Sequence, residues 1–591
     1  MSRSNYLDLL QDHIDISKTP FSERGSRLLL FRYTNKNGLF IKLAERLSHL
    51  DADNEAYLRR PPFVQDLVLI DSERKELEFT VTSNPYQLLL HTRIGDFEIV
   101  FDDEQTLVFK FPDHETSGLK VKVYPLHWQS SNLGGKLLSV RNLKYETSGE
   151  MIANQITPVD GGYQVELLVK STADCSTTIN IFSDEPKTSI PLPFSTYRNA
   201  AKARWVDWFD QVPEIDPQYE KKYAYAWWVM ANNLISPRGN ILYEAMAPSK
   251  VGYVGLWLWD SAMHAIAFRH TNAELARNQI RSMLAYQLPN GMLPDAIFDD
   301  GLVFTIDHPI KGEVTKPPIL GWAALKLHES NPDEQFLSEI YQPLTKWNNW
   351  WFTENDDDHD GLVQYNHPYS SGLDDSPLWD EGMPVESPEL STYLYLDMLA
   401  LAQMAEILHL TDEAAMWRKR SGLLLDQMVK HFWDSEKGIF WVKKDHHPVK
   451  VITPFNLYPL WTGQLSREIN DRLLSHLLNP AMFWGRYKIP TVARNDPHYD
   501  PQTMWRGPVW LNINYFFIEA LTKVGEVELA NQLRDSTLEM VMSQEGIFEY
   551  YDAETGKPPN KAVRNFGWSA AVFIDLAIQA SRKPQKKTID D

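Results

Sequence analysis

Apolar and polar residues alternate with a period of two in the first third of the chain and recur at helical spacing in the rest. Segments 76–82 (ELEFTVT), 97–101 (FEIVF), 106–111 (TLVFKF), 119–124 (LKVKVY) and, less cleanly, 164–169 (QVELLV) alternate. Alternation of this kind, bounded by Asp, Gly, Asn and Pro, predicts strands with one buried face, hence an antiparallel sandwich. Gly134–Gly135 and Gly161–Gly162 mark turns within it. From about Tyr219 onward the apolar spacing becomes three and four residues. It predicts helices over 218–235, 259–270, 272–286, 316–329, 335–354, 388–406, 410–432, 465–478, 508–525, 527–543 and 567–580. Many are apolar on more than one side, as a helix held between neighbours must be.

Short connections alternate with long ones rich in Asp, Gly, Pro and Trp: 236–258, 287–315, 355–387, 433–464, 479–507 and 544–566. That pattern suits helical hairpins closed into a ring, with the long loops gathered at one mouth. The expected fold is mainly α: an (α/α)6 toroid preceded by an antiparallel β-sandwich. The expected limits are 1–200 for the sandwich, 201–218 for an aromatic linker and 219–585 for the barrel. A twelfth helix, needed to complete six pairs, is sought near 242–255 or 451–462.

Size and charge narrow the function. At 591 residues and 43% hydrophobic, the chain exceeds one ordinary domain. Its formal charge of -21 disfavours nucleic acid or an anionic membrane as partner. Cys175 is the single cysteine, which excludes an intrachain disulfide and suits a reducing compartment. The first residues do not read as a signal peptide, and no apolar run is long enough to span a bilayer. A cytoplasmic location is expected. The 20 Trp and 25 Tyr serve mostly as core, with a few suited to stacking on sugar faces.

The long loops carry the candidate chemistry. In 255–264 (GLWLWDSAMH), Trp257 and Trp259 precede Asp260; the rings suit a sugar platform and the carboxylate suits its hydroxyls. The competing role for Asp260 is a helix N-cap. In 288–295 (LPNGMLPD), Asn290–Gly291 is a turn signal that places Asp295 on the mouth side. The stretch 369–389 (YSSGLDDSPLWDEGMPVESPE) holds Asp374, Asp375, Asp380, Glu381, Glu386 and Glu389 among turn formers, with Trp379 in their midst. Hydrolysis of a glycosidic bond needs an acid on one side of the sugar and a base or nucleophile on the other. Residue type alone does not choose among these six. Calcium would suit so acidic a loop, but the spacing does not fit an EF-hand. In 504–514 (MWRGPVWLNIN), Arg506 is framed by Trp505 and Trp510, and a structural ion pair is the competing role. In 546–568, Glu549 lies among aromatic residues, with Glu554 its competitor.

Taken jointly and in order, GLWLWDSAMH, NGMLPD, TKPPILGWAA, SSGLDDSPLWD, MWRGPVW, FEYYDAETG and NFGWSAA resemble glycoside hydrolase family 63 over about residues 225–580. The likeness extends to members acting on glucosylglycerate or mannosylglycerate and to bacterial α-glucosidases, with family 37 trehalases as broader relatives. The resemblance implies an (α/α)6 barrel and an inverting α-glycosidase. It implies Asp374 as general acid, Glu549 as general base, and Asp260, Trp257, Trp259, Asp375, Trp379, Trp505, Arg506 and Trp510 as pocket residues. Tyr550–Tyr551 departs from the Asn-Tyr or His-Tyr that usually follows the family base. No cofactor and no metal are required by this chemistry. The expected partner is a small α-glucoside, a disaccharide or a glucosylglycerate-like compound. Trehalose, sucrose and mannosylglycerate are alternative substrates, and Lys250 and Arg238 are candidates for an anionic aglycone. The competing non-enzymatic reading is a carbohydrate-binding toroid, which would need the tryptophans but no paired acid and base.

Overall fold

The computed structural model describes residues 5–47, 56–124, 127–183 and 190–582. The chain divides into two compact units, residues 1–212 with 231–236, and residues 213–230 with 237–591. The last three residues expected in the barrel, 583–585, lie outside the described residues.

The first unit holds two antiparallel sheets. One has six strands, in the order Leu28–Arg32, Leu39–Leu43, Val64–Ile70, Thr116–Val123, Gly162–Lys170, Glu150–Val159. The other has eight, in the order Thr80–Asn84, Gln87–Thr92, Gly95–Asp103, Thr106–Lys110, Thr177–Phe182, Asn142–Thr147, Gly134–Leu138, His127–Ser131. Leu43 and Val123 of the first sheet line one cavity with Leu137 and Leu143 of the second, so the sheets enclose an apolar interior. The strand expected at 76–82 begins only at Thr80; Glu76 makes an isolated bridge to Ile70. Val64–Ile70 ends in four consecutive buried residues, so buried and open positions do not alternate there and period two cannot reveal it. Residues 194–210 form a helix, so the first half of the stretch expected as a linker is helical. Phe194, Tyr197 and Ala201 bury that helix against Val100 and Val108.

The second unit is helical. All eleven helices expected from periodicity are present, with ends shifted by about one turn at most. The twelfth is the 3-10 helix Pro454–Thr462, at the second of the two places where it was sought; 242–255 is irregular. Pro454 starts it, Pro459 interrupts it and Gly463 ends it in the left-handed region at φ +67°, so its apolar spacing is not that of an α-helix. Leu258–Phe268, Leu320–Ser330, Pro388–Ile407, Pro454–Thr462, Leu511–Lys523 and Gly567–Ser581 each pack on the next, and the last packs on the first. This closed inner ring explains the sequence: every residue of Leu258–Phe268 and of Pro454–Thr462 is buried. Helices Ala273–Leu284, Glu334–Glu354, Thr411–Phe432, Arg467–Leu477 and Val527–Met542 keep polar outer faces and lie against ring members.

Each long connection leads into the N-terminal end of an inner helix, 433–464 doing so at Pro454, within its own length. They therefore gather at the N-terminal ends of the inner helices, where unpaired N–H groups and aligned peptide dipoles favour negative charge. The helix expected from residue 316 starts at Leu320, because Pro317 and Pro318 keep the residues before them extended. Lys316 is thereby left in the connection. Among the described residues, no helix is long and apolar enough to cross a membrane.

Aromatic rings fill the ring's interior. Trp461 stacks on Phe516 at 4.7 Å and 26° and meets Trp322 and Tyr393 edge-on, so one side chain joins four inner helices. Trp461→Ala is expected to destabilise the helical unit by about 3–5 kcal/mol. Denaturant unfolding followed by tryptophan fluorescence checks this as a lowered midpoint.

Candidate active site

The loop after residue 367 is built by turns. A 3-10 turn, Pro368–Ser371, ends at Gly372 in the left-handed region, φ +73°. A second, Pro377–Trp379, is capped by Ser376. Between them the Leu373 carbonyl accepts from Ser376 N at 2.9 Å and from Trp379 Nε1 at 2.8 Å. Trp379 is thus a buried clamp on the loop, its ring edge-on to Tyr365. A Cβ on Gly372 would stand 2.4 Å from the Trp259 ring, so only glycine permits this approach. The turns leave Asp374 half-buried, with Oδ1 enclosed and without a hydrogen-bond partner.

The structure separates the six carboxylates that the sequence left together. Asp375 accepts from Trp505 N at 2.8 Å and ties two loops. Asp380 is exposed and pairs with Arg506, whose Nη1 lies 3.1 Å from Asp380 Oδ2. Glu381 is exposed. Glu386 accepts from, or donates to, His431 Nε2 at 2.7 Å. Glu389 is buried in the first turn of an inner helix, beside Tyr365 and Tyr393, and burial pushes its pKa up to about 8.

Asp374 belongs to a different cluster. Lys316 and Asp295 are both buried and pair at 2.7 Å. The Lys316 ammonium also donates to the Tyr369 carbonyl at 2.6 Å, and Thr315 N donates to Ser370 Oγ at 3.3 Å. The TKPP segment therefore grips the turn that carries Asp374. Burial opposes the charge on Lys316, but Asp295, Asp374 and Asp260 hold it above the ordinary lysine range. Burial raises Asp374, with Lys316 opposing and Asp295 adding to the rise. Asp260 is raised well above the usual carboxylate range by burial, again opposed by Lys316. It is no N-cap: the helix starts at Leu258 with Trp257 as its cap, and Asp260 lies inside the first turn.

Glu549 closes the cluster from the other end of the sequence. It is buried, and its carboxylate accepts from Tyr253 OH at 3.0 Å and from Val563 N at 3.3 Å. Burial raises it, those two donors oppose the rise, and Asp374 adds to it. Its competitor Glu554 pairs instead with Arg494 at 2.8 Å and accepts from Tyr499 OH at 2.6 Å, about half exposed. Four carboxyl groups (Asp260, Asp295, Asp374, Glu549) thus share an enclosed space with one ammonium. Burial and mutual repulsion therefore favour the retention of protons within this cluster.

Aromatic side chains wall this space. Trp257 is half-buried against Tyr253 and Phe298. Trp259 is buried against Trp568 and Trp505. Trp505 and Trp510 stack at 3.7 Å and 7°, and Tyr550 stacks on Trp510 at 4.8 Å. Trp510 is therefore sandwiched, with Nε1 spent on the Met504 carbonyl, and offers no free face to a sugar. It backs Trp505. Arg506 stands at an ion pair with the exposed Asp380, and its charge also opposes the rise of Asp375. Tyr253, Lys316 and Trp568 escaped the sequence reading. Only Lys316 left a signal, as a cation beside a double proline.

Residues 253–569 match the mannosylglycerate hydrolase MGH1-like glycoside hydrolase domain, and the chain belongs to that family. It is 27% identical over 395 residues to the mannosylglycerate hydrolase of Thermus thermophilus, covering 54% of this chain and 93% of that one. It is 24% identical over 436 residues to the glucosylglycerate hydrolase of Mycolicibacterium hassiacum, covering 57% and 95%. The crystal structure of a GH63 mannosylglycerate hydrolase from Thermus thermophilus, in complex with Tris and D-glycerate, shares the fold. Its TM-score is 0.53 at 23% identity, over 60% of this chain and 99% of that one.

Lys316→Met would leave Asp295 buried without its cation. A loss of about 3–5 kcal/mol of stability is expected. Asp295→Asn in the same background should recover part of it, as measured by denaturant unfolding of both variants.

Proposed function

We propose that the protein is an inverting α-glycoside hydrolase acting on a small α-glucoside, a disaccharide or a glucosylglycerate-like compound. The observation that carries this reading is the asymmetry between two carboxyl groups of one buried cluster. No donor reaches Asp374 Oδ1, whereas two donors serve Glu549. Burial pushes Asp374 up to about 7 and Glu549 up to about 8, so each can hold or release a proton near neutral pH, and the N–H and O–H aimed at Glu549 favour its ionised form and suit it to the base's part. Asp374 is then the acid that protonates the departing glycosidic oxygen, and Glu549 the base that takes a proton from the attacking water.

The remaining residues have supporting parts in this scheme. Asp260 takes hydrogen bonds from hydroxyls of the sugar. Trp259 and Trp505 wall the sugar, and Trp257 borders it beside Tyr253. Asp375, Trp379 and Arg506 with Asp380 hold the loop that presents Asp374. Lys316 positions that loop, and its charge favours the ionised form of the carboxyl groups around it. Inversion requires a water between base and sugar, with the two carboxyl groups roughly 6.5–9.5 Å apart. The names of the relatives, mannosylglycerate hydrolase and glucosylglycerate hydrolase, support a short substrate with a small polar aglycone.

The reaction is tested on a panel of glucosylglycerate, mannosylglycerate, trehalose, sucrose, kojibiose, nigerose and isomaltose, with the first-formed anomer read by NMR. Release of the inverted anomer is expected, and a retained anomer would sink the scheme. Asp374→Asn and Glu549→Gln should each lower kcat by about 10²–10⁴-fold with the fold intact by circular dichroism. Wild-type turnover in either rejects that assignment. Activity needs Glu549 ionised and Asp374 protonated, so kcat/KM is bell-shaped in pH, with limbs that belong to the coupled pair and not to either residue alone. Because burial raises both groups, both limbs of the profile are expected above the ordinary carboxylate range. A profile that is flat from pH 4 to 9 contradicts it.

A further inference from the structure

Away from the carboxylate cluster, three segments bring imidazole and carboxylate ligands together. Glu386 comes from the short strand before the Pro388–Ile407 helix, His431 from the last turn of Thr411–Phe432, and His446 from the hairpin that follows. One ligand atom from each lies within 4.8 Å of the other two. His431 Nε2 faces Glu386 Oε2 at 2.7 Å. The opposite nitrogen of the same ring, Nδ1, is 4.0 Å from Asp360 Oδ2. His446 Nε2 is 3.5 Å from Asp358 Oδ2. Each imidazole thus has its own carboxylate nearby, beyond direct hydrogen-bond distance, in the place where metal-bound histidines carry an outer partner.

We propose that Glu386, His431 and His446 bind one divalent transition metal of the zinc class, with Asp358 and Asp360 as outer partners of the two imidazoles. Two imidazoles and a carboxylate match the ligand preference of zinc, with a fourth position open to water. Tetrahedral ligands at zinc stand about 3.3 Å apart, so the His431–Glu386 pair has only to part by a fraction of an ångström. The hairpin supports the assignment. Lys443–Lys444 pairs with His447–Pro448, leaving Asp445 and His446 as the two turn residues, at φ +48° and +62°. Such turns favour Asn and Gly. A histidine held there at a conformational cost delivers its ring toward the Glu386 strand, which pairs with Lys443. The metal would join the exit of the loop carrying Asp374 to the end of an outer helix. Its role is structural and independent of the hydrolytic reading.

The test uses the untagged full-length chain, stripped with a chelator and titrated with Zn²⁺ by calorimetry, with thermal unfolding in parallel. One Zn²⁺ per chain and a raised Tm are expected. His446→Asn suits the left-handed turn and keeps the hairpin, so a folded variant is secured. It should weaken Zn²⁺ binding by about tenfold or more. His431→Ala should do the same, while metal-free His446→Asn keeps wild-type turnover on whichever panel substrate the enzyme hydrolyses. Absence of saturable Zn²⁺ binding overturns the proposal. Equal affinity in wild type and His446→Asn does so too. So does saturable binding of Ca²⁺ but not Zn²⁺, which would point to the oxygen ligands of Asp356, Asp358 and Asp360 instead.

Discussion

The ammonium group of Lys316 is the interaction on which the site depends. It is buried, it pairs with Asp295, and it holds the Tyr369 carbonyl two residues before Ser371 and three before Gly372. Its charge also opposes the rise of the carboxyl groups of Asp260, Asp295 and Asp374. Geometry and charge are therefore set by the same group. An enclosed cluster with four carboxyls and one ammonium retains protons, and a proton retained on the right carboxyl is what acid catalysis of glycoside cleavage requires.

The fold supplies that enclosure in an economical way. Inner helices, two of them buried at every residue, form a closed ring, and their N-terminal ends receive the long connections. Asp260, Glu389 and Trp568 stand in first turns of inner helices, Trp510 caps one, and Lys316 precedes another. The dipoles of those ends favour carboxylates, while the apolar ring below excludes water and raises their pKa values. Those opposing influences act at one place because the topology puts every long loop at one mouth.

Aromatic stacking gives the loops rigidity. Trp505, Trp510 and Tyr550 form one continuous stack, and Trp379 and Trp259 close on the backbone around Gly372. Several tryptophans that suit sugar binding by composition therefore serve as internal supports. A stacked indole and a sugar platform have the same residue type, and only the neighbours distinguish them. The same holds for Glu386: in sequence it is one of six acidic candidates, and in the structure it turns away toward His431 and His446.

Periodicity alone determined the class of the fold. The apolar stripes located eleven helices, because a helix buried in a ring must repeat its apolar residues every turn. They hid the Pro454–Thr462 helix, whose prolines impose 3-10 geometry, and strands such as Val64–Ile70, where burial does not alternate. The motifs placed Asp374, Glu549 and Asp260 in long loops. What the linear order could not decide is which carboxyl groups meet. Asp260, Lys316, Asp374 and Glu549 are spread over some three hundred residues, and their protonation depends on mutual distance, burial and donors. Those quantities exist only once the ring has closed. Glu549 differs from Glu554 by Tyr253 and Val563 on one side and Arg494 on the other, partners that local sequence does not reveal.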